Sequence, residues 1–247
     1  MQISIVVITA RQEPGFVELV KSLQPFASEI ELVYVDKLKS SRNGHWEEAM
    51  ARLGIDFIHA EDPPSGGPAP STARNFGISQ ASGDWIVCID DLTTFNDDVL
   101  RIHKVAYSLG FDAVAGSYTL NGKLAANSDS RYGDPLASNG DWISHRFYGM
   151  HMGFTKKSWE QVGGFDESFD GVYGQEDCDF GRRLFLNGAA MAWLPTAQVN
   201  CQKDDRHGSI QAKADFTHTA FVYGELKWRN DCLILWNKML GKIDTRN

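Results

Sequence analysis

Ile3-Ser4-Ile5-Val6-Val7-Ile8 is a nearly unbroken run of β-branched aliphatic residues close to the start of the chain. A half-exposed strand would alternate apolar with polar residues. A continuous run describes a strand covered on both faces by helices. The pattern repeats outward from it. A helical stretch, Pro14 to Leu23, leads to strand sequence at Ile30 to Val35, a helix near Trp46 to Leu53 and a short strand at Ile55 to His59. Pro63 to Pro70 contains four prolines and two glycines and reads as a loop, after which Ser71 to Gln80 reads as a helix. Trp85-Ile86-Val87-Cys88-Ile89 is the next buried strand. Strands alternating with helices predict an α/β fold with a mostly parallel sheet and right-handed crossovers.

A helix from Asp97 to Ser108 and a strand from Ala113 to Tyr118 follow. The polar stretch from Asn121 to Trp142 is longer than an ordinary connection, and loops of that length are usually functional or mobile. Regular patterning returns with Met150 to Thr155, a helix from about Lys156, a Gly163-Gly164 turn, a helix from Glu176 to Leu186 and a strand from Ala190 to Leu194. An amphipathic helix spans about Gln211 to Leu240. It carries more apolar surface than a fully solvated helix would, including Trp228, Trp236 and Leu240. Packing on its own domain, a dimer contact and a membrane-surface contact all fit that face.

The 247 residues are 43% hydrophobic and 23% charged, with a formal net charge of −8. That is the composition of a soluble globular chain of one large domain or two small ones. The acidic balance argues against nucleic acid, whose phosphate backbone demands clustered Lys and Arg. No apolar run approaches the roughly 20 residues of a membrane-spanning helix. Met1 and Gln2 lead straight into strand sequence, so no export is expected. Cys88, Cys178, Cys201 and Cys232 have neither CxxC nor zinc-type spacing, which fits reduced thiols in a cytoplasmic protein.

In open α/β sheets ligands bind beyond the carboxyl ends of the strands. Here Thr9 to Glu13 follow the first strand, Asp36 ends the second, and Asp90-Asp91 follow the apolar run at Ile89. Adjacent carboxylates repel unless they are solvated, capping or bound to a cation. Hard cations such as Mg²⁺ or Mn²⁺ take such oxygen ligands and leave room for phosphate; capping of the following helix is the competing reading. A second acidic cluster, Glu176-Asp177-Cys178-Asp179, opens a helix, where the macrodipole alone favours carboxylates. The approach to it is glycine-rich and interleaved with Phe165, Phe169 and Tyr173, which shapes a pocket. His207 stands in a polar loop, where an imidazole could complete a cation site begun by Asp91.

Four segments resemble the inverting nucleotide-sugar glycosyltransferases of family 2. They are the first strand with Thr9 to Glu13; Ala73-Arg74-Asn75-Phe76-Gly77 before Ser82-Gly83-Asp84-Trp85; the Asp90-Asp91 edge; and Val162-Gly163-Gly164-Phe165-Asp166-Glu167 followed by Glu176-Asp177. The resemblance implies a single GT-A domain over residues 1–210. A Rossmann-like nucleotide half would cover about 1–110 and an acceptor half about 111–210, with the C-terminal helix and tail at 211–247. It also implies that Thr9, Arg11, Glu13, Asp36, Arg74 and Asp90 line the nucleotide, that Asp91 and His207 hold Mn²⁺ or Mg²⁺, and that Asp177 is the catalytic base. His207 follows Asp177 by 30 residues, close to the family's spacing. Glu176, His151 and Trp142 would meet the substrate. The usual metal motif is Asp-X-Asp, and one of its carboxylates is absent here in either register, because Leu92 or Ile89 takes its place.

The implied reaction transfers a sugar from a nucleotide-sugar donor, a UDP-sugar, to the hydroxyl of a carbohydrate or lipid-linked glycan acceptor, with inversion. A nucleotidyltransferase would normally carry a glycine-rich basic loop where this chain has Ala10-Arg11-Gln12-Glu13. A dinucleotide-dependent oxidoreductase would need GxGxxG after the first strand, which is absent. A nucleotide-sugar binder without catalysis keeps the same pocket, and the presence of both Glu176 and Asp177 argues for the enzyme.

Overall fold

The computed structural model describes residues 2–124 except 43 and 66, residues 147–171 and residues 176–202. Strand β1 (Ile3–Thr9) pairs in parallel with β2 (Ile30–Asp36) on one side and β4 (Trp85–Asp90) on the other, and β3 (Asp56–Glu61) adds in parallel to β2. Beyond β4 the sheet continues through β8 (Met152–Thr155), β6 (Ala113–Leu120), β9 (Met191–Cys201) and β5 (Thr93–Phe95), while β7 (Lys123–Leu124) pairs with β6. Strand β8 runs antiparallel to both β4 and β6, and β5 runs antiparallel to β9. The sheet is therefore mostly parallel, as expected, with the reversal confined to its second half.

Helices α1 (Phe16–Leu23), α2 (His45–Leu53), α3 (Pro70–Gln80), α4 (Val99–Ser108), α5 (Lys156–Gln161) and α6 (Glu176–Leu186) flank it. Alternate residues of β1 explain its continuous apolar run. Ile3, Ile5 and Val7 pack in a core with Leu19 of α1, Met50 of α2 and Leu100 of α4, whereas Val6 packs in a second core with Ile78 of α3 and Leu184 of α6. Successive strand side chains point to opposite faces, so a strand with helices on both sides needs apolar residues at both parities.

The last strand is longer than its sequence pattern suggests. Its pairing with β6 jumps from Gly116 opposite Leu194 to Ser117 opposite Gln198, leaving Pro195, Thr196 and Ala197 as an irregularity. Proline has no amide to give the ladder, which hides the strand's continuation in the sequence. Asp90 and Asp91 do not cap the following helix; Asp98 stands at the start of α4. Cys88, Cys178 and Cys201 are free thiols, and burial pushes Cys88 and Cys201 up to about 12, leaving them unreactive. Among the described residues, no helix is long and apolar enough to cross a membrane. The expected C-terminal helix lies outside those residues, as do Trp142 and His207.

Candidate active site

The strand register brings the expected residues to one edge. Thr9 lies opposite Asp36, and Ile8 lies opposite Asp90. Three side-chain groups form there.

The first joins the β1 loop to the end of β4. The Thr9 hydroxyl donates to Asp91 Oδ2 (2.5 Å), and Arg11 Nε donates to Asp91 Oδ1 (3.0 Å). The Gly15 amide donates to the Asp91 carbonyl (3.1 Å), which brings the start of α1 to the same point. Both Asp91 oxygens are thus engaged, and the residue is buried. The structure gives Asp91 the task of anchoring the Thr9–Arg11 segment. Glu13, in the same loop, is exposed.

The second group surrounds Asp36, which is fully buried. Arg42 donates from Nε to Asp36 Oδ2 (2.8 Å) and, through Nη1 and Nη2, to the carbonyls of Gln12 and Arg11 (2.6 Å each). The Leu38 amide donates to Asp36 Oδ1 (2.8 Å), and His59 lies between Asp36 Oδ2 (3.4 Å) and Glu47 Oε1 (2.7 Å). Burial works to raise the proton affinity of Asp36. The bonds from His59, Arg42 and Leu38 together outweigh it and hold the carboxyl below its ordinary range. Arg42, His59 and Glu47 escaped sequence reading. Only His59, at the end of a strand, carried a positional signal.

The third group is a recess between β4, α3 and α6. The Arg74 side chain, 7% exposed, donates from Nη1 to Glu176 Oε1 (2.7 Å), and its Nη2 stands 4.0 Å from Asp90 Oδ1. Phe165 faces the guanidinium at 5.5 Å. Burial opposes the charge on Arg74, but Glu176, Asp177 and Asp90 overcome it and keep the group protonated. Asp177 accepts from the Gly149 amide at Oδ2 (2.8 Å) and from the Cys178 amide at Oδ1 (2.7 Å). Burial, reinforced by neighbouring Glu176, raises its proton affinity nonetheless. Asp90 is 47% exposed, yet burial pushes it up to about 6.

Two long-range contacts hold this geometry. The amides of Ser71 and Thr72 at the start of α3 donate to the Asp170 carboxylate (2.9 and 3.1 Å), so the helix is capped by a residue from a distant loop. The Asn75 side chain accepts from the Phe165 amide (2.8 Å) and donates to the Phe165 carbonyl (2.9 Å). Gly164 beside it has φ +74° and no space for a side chain, because a Cβ would lie 2.7 Å from Asn75 Oδ1. Together these contacts lock the glycine turn against α3, next to Arg74. A cavity of about 440 Å³ lies by this turn, lined by Asn75, Glu167 and Arg183, and includes none of the recess carboxylates.

His151 does not border an open groove. It is buried, its Nε2 is 2.8 Å from His103 Nε2, and its Nδ1 is 2.9 Å from the Ser117 carbonyl. The expectation of a substrate contact therefore gives way to a core position, because both ring nitrogens are consumed by protein partners. Among the described residues, no three His, Cys, Asp or Glu side chains group as a ready-made metal cage.

The sequence profile described as Glycosyl transferase family 2 matches residues 4–158, and one described as the N-terminal domain of galactosyltransferase matches residues 139–204. No curated protein matches the chain. Among solved structures, S. aureus TarS 1-349 in complex with UDP-GlcNAc gives a TM-score of 0.65 at 19% identity, covering 84% of this chain and 60% of that one. The mannosyltransferase PcManGT from Pyrobaculum calidifontis, in complex with GDP-Man and Mn²⁺, gives 0.62 at 18% identity, covering 85% and 59%. The chain thus spans about three-fifths of these solved chains, and what it shares with them is the fold.

Proposed function

The chain belongs to glycosyl transferase family 2 and has its GT-A fold, and from that premise we propose that it transfers a sugar from a UDP-sugar to an acceptor hydroxyl with inversion. The observation that carries this reading is the recess in which Arg74, Asp90, Glu176 and Asp177 converge. In the proposed step the acceptor O–H gives its proton to Asp177. The oxygen bonds to the anomeric carbon as the bond from that carbon to the phosphate oxygen breaks, and the electron pair leaves with the nucleoside diphosphate. A carboxylate whose proton affinity burial has raised is a better base than a solvated one, which supports Asp177 in the role. Glu176, held by Arg74, is proposed to fix the neighbouring sugar hydroxyl.

Thr9 and Arg11, braced on Asp91, together with the Asp36 region, are proposed to form the nucleotide side of the pocket. TarS, crystallised with UDP-GlcNAc, supports a uridine donor, while the GDP-Man complex shows that the fold accepts another base. The acceptor class proposed is a carbohydrate or lipid-linked glycan.

The residues fit a divalent ion. Asp90 presents a half-exposed carboxylate beside Arg74, and a Mg²⁺ or Mn²⁺ is commonly held by one or two carboxylates plus substrate phosphates. Asp90 would hold it in place of the expected Asp91, both of whose oxygens are already engaged by Thr9 and Arg11. Such an ion, when bound, offsets the negative charge that builds on the leaving diphosphate. A unit charge pair about 4 Å apart is worth about 4 kcal/mol at an effective dielectric of about 20, well above a neutral hydrogen bond.

The test is a panel of nucleotide sugars assayed for nucleoside diphosphate release, with Mn²⁺ or with chelator. Release from a UDP-sugar that stops on chelation is the expected result. No release from any donor overturns the reading as an enzyme, and release that survives chelation overturns the metal role alone.

A further inference from the structure

Beneath the recess lies a buried chain of polar groups that the proposed reaction does not use. Trp85 Nε1 donates to His103 Nδ1 (3.1 Å), the two Nε2 atoms of His103 and His151 are 2.8 Å apart, and His151 Nδ1 is 2.9 Å from the Ser117 carbonyl. Trp85, His103 and His151 are all within 1% of complete burial. The two ends of the chain determine every proton in it. An indole nitrogen only donates, so His103 Nδ1 must accept and His103 Nε2 must carry the hydrogen. That hydrogen goes to His151 Nε2, which leaves the other on His151 Nδ1, facing a carbonyl that only accepts. Both rings are neutral, and burial keeps them so, holding His103 well below the ordinary imidazole range and His151 at about 4.

The sheet is built around these rings. A Cβ on Gly116 would lie 2.0 Å from His151 Nδ1, and a Cβ on Gly153 would lie 2.7 Å from His103 Nδ1. Neither glycine has a positive φ, so each serves close approach and not an unusual backbone. Two strand positions give up a side chain to seat two imidazoles, which a merely hydrophobic core would not require.

His151 is also the last residue of the turn Tyr148–His151, closed by its amide donating to the Tyr148 carbonyl (3.0 Å), and its own carbonyl accepts from Gly116 (3.1 Å). Inside that turn the Gly149 amide donates to Asp177 Oδ2, and a Cβ on Gly149 would lie 2.3 Å from Arg74 Nη2. The turn therefore touches both the proposed base and the only guanidinium that compensates it among the described residues.

We propose that His103 and His151 are positioning residues, which anchor the Tyr148–His151 turn to α4 and β6 so that the Gly149 amide meets Asp177 in one geometry. This rests on Asp177 being the base. A base displaced by a fraction of an ångström still binds donor but meets the acceptor hydroxyl poorly, so the chain controls turnover more than donor affinity.

The first measurement uses the unmodified protein. Long-range ¹H–¹⁵N correlation of the imidazoles at pH 7 should show hydrogen on Nε2 of His103 and on Nδ1 of His151; hydrogen on His103 Nδ1 overturns the chain. The second compares His103→Leu, His103→Gln and Asp177→Asn. His103→Leu should lower kcat by about 10- to 100-fold with donor KM nearly unchanged. His103→Gln, whose amide nitrogen falls near the imidazole Nε2 and keeps a donor toward His151, should recover part of that loss. Equal kcat in all three His103 forms, while Asp177→Asn is inactive, overturns the positioning role and leaves the proposed function standing. An active Asp177→Asn overturns both.

Discussion

At the carboxyl end of β2, Asp36 is surrounded by Arg42, His59 and the Leu38 amide, with its proton affinity held down. At the carboxyl ends of β4 and the glycine loop, Asp90, Glu176 and Asp177 share Arg74, and the proton affinities of Asp90 and Asp177 are held up. The two groups lie on one sheet edge, separated by β1. A buried carboxylate with a full set of donors is a structural element, since ionisation costs it little and removing a donor would strand the charge. A carboxylate whose burial and like-charged neighbours outweigh its donors is ready to take a proton or a cation, the condition that acid–base and metal chemistry require. The edge is therefore divided: the Asp36 group, together with Asp91, braces the backbone that would receive the nucleotide, and Asp90 and Asp177 keep their charge available.

The sharpest way to break this contrast is Asp177→Asn. It keeps shape and removes the proton acceptor, so turnover should fall by about 10²–10⁴-fold while donor binding, read by calorimetry, stays close to that of the parent. Normal turnover would move the base elsewhere in the acidic turn and erase the distinction.

Arg42→Ala tests the other side. It leaves Asp36 buried with fewer donors and frees the carbonyls of Arg11 and Gln12. A loss of about 1.5–3 kcal/mol in a denaturant titration is expected, the range for hydrogen bonds to charged groups. Donor KM should rise while kcat at saturation changes little. A variant of undiminished stability would mean that the Asp36 group is not a brace.

The smallest effect is a difference in the sign of pH dependence. Asp36 has a lowered affinity, so its contribution to stability is present above its ordinary value of 3.8 and is lost as acid protonates it at still lower pH. Asp90 is raised from 3.8 to about 6, so its contribution is full below 3.8 and is lost as pH rises through 6. Asp90→Asn should therefore melt slightly higher than the parent at pH 8, without added metal, and no higher at pH 4. Identical melting differences at both values would show that Asp90 does not titrate as an underpaired group.

The recess illustrates how far reading along the chain carries. Asp90 and Asp91 were legible as a pair because acids rarely follow five apolar residues without purpose. Their division of labour was not legible: Asp91 turns beneath Thr9 and Arg11, whereas Asp90 faces Arg74, and the partners lie about 80 residues away for Asp91 and 16 for Asp90. His151 was misread for the same reason. Its substrate role came with the resemblance, although Met150 and Met152 flank it in sequence; the arrival of His103 from α4 and the absence of side chains at Gly116 and Gly153 make its site a core.

Local pattern was sufficient for the parallel half of the fold, while β5, β7 and the antiparallel insertion of β8 left no local signal. Strand runs buried on both faces, helices between them, and prolines and glycines at the breaks are short-range features, and their order yields a mostly parallel sheet with its ligands at the carboxyl edge. Family membership was legible too, because it rests on motifs contiguous in the chain. Tertiary structure alone decided which carboxylates have donors that outweigh burial and which do not. Asp170 caps a helix 99 residues earlier, Asn75 locks a turn 90 residues later, and Glu176 pairs with an arginine 102 residues before it. A hydrogen-bond partner that distant leaves no periodicity or spacing in the sequence. Proton affinity, which depends on the sum of such partners and on burial, becomes a property of the residue only once the chain has closed around it.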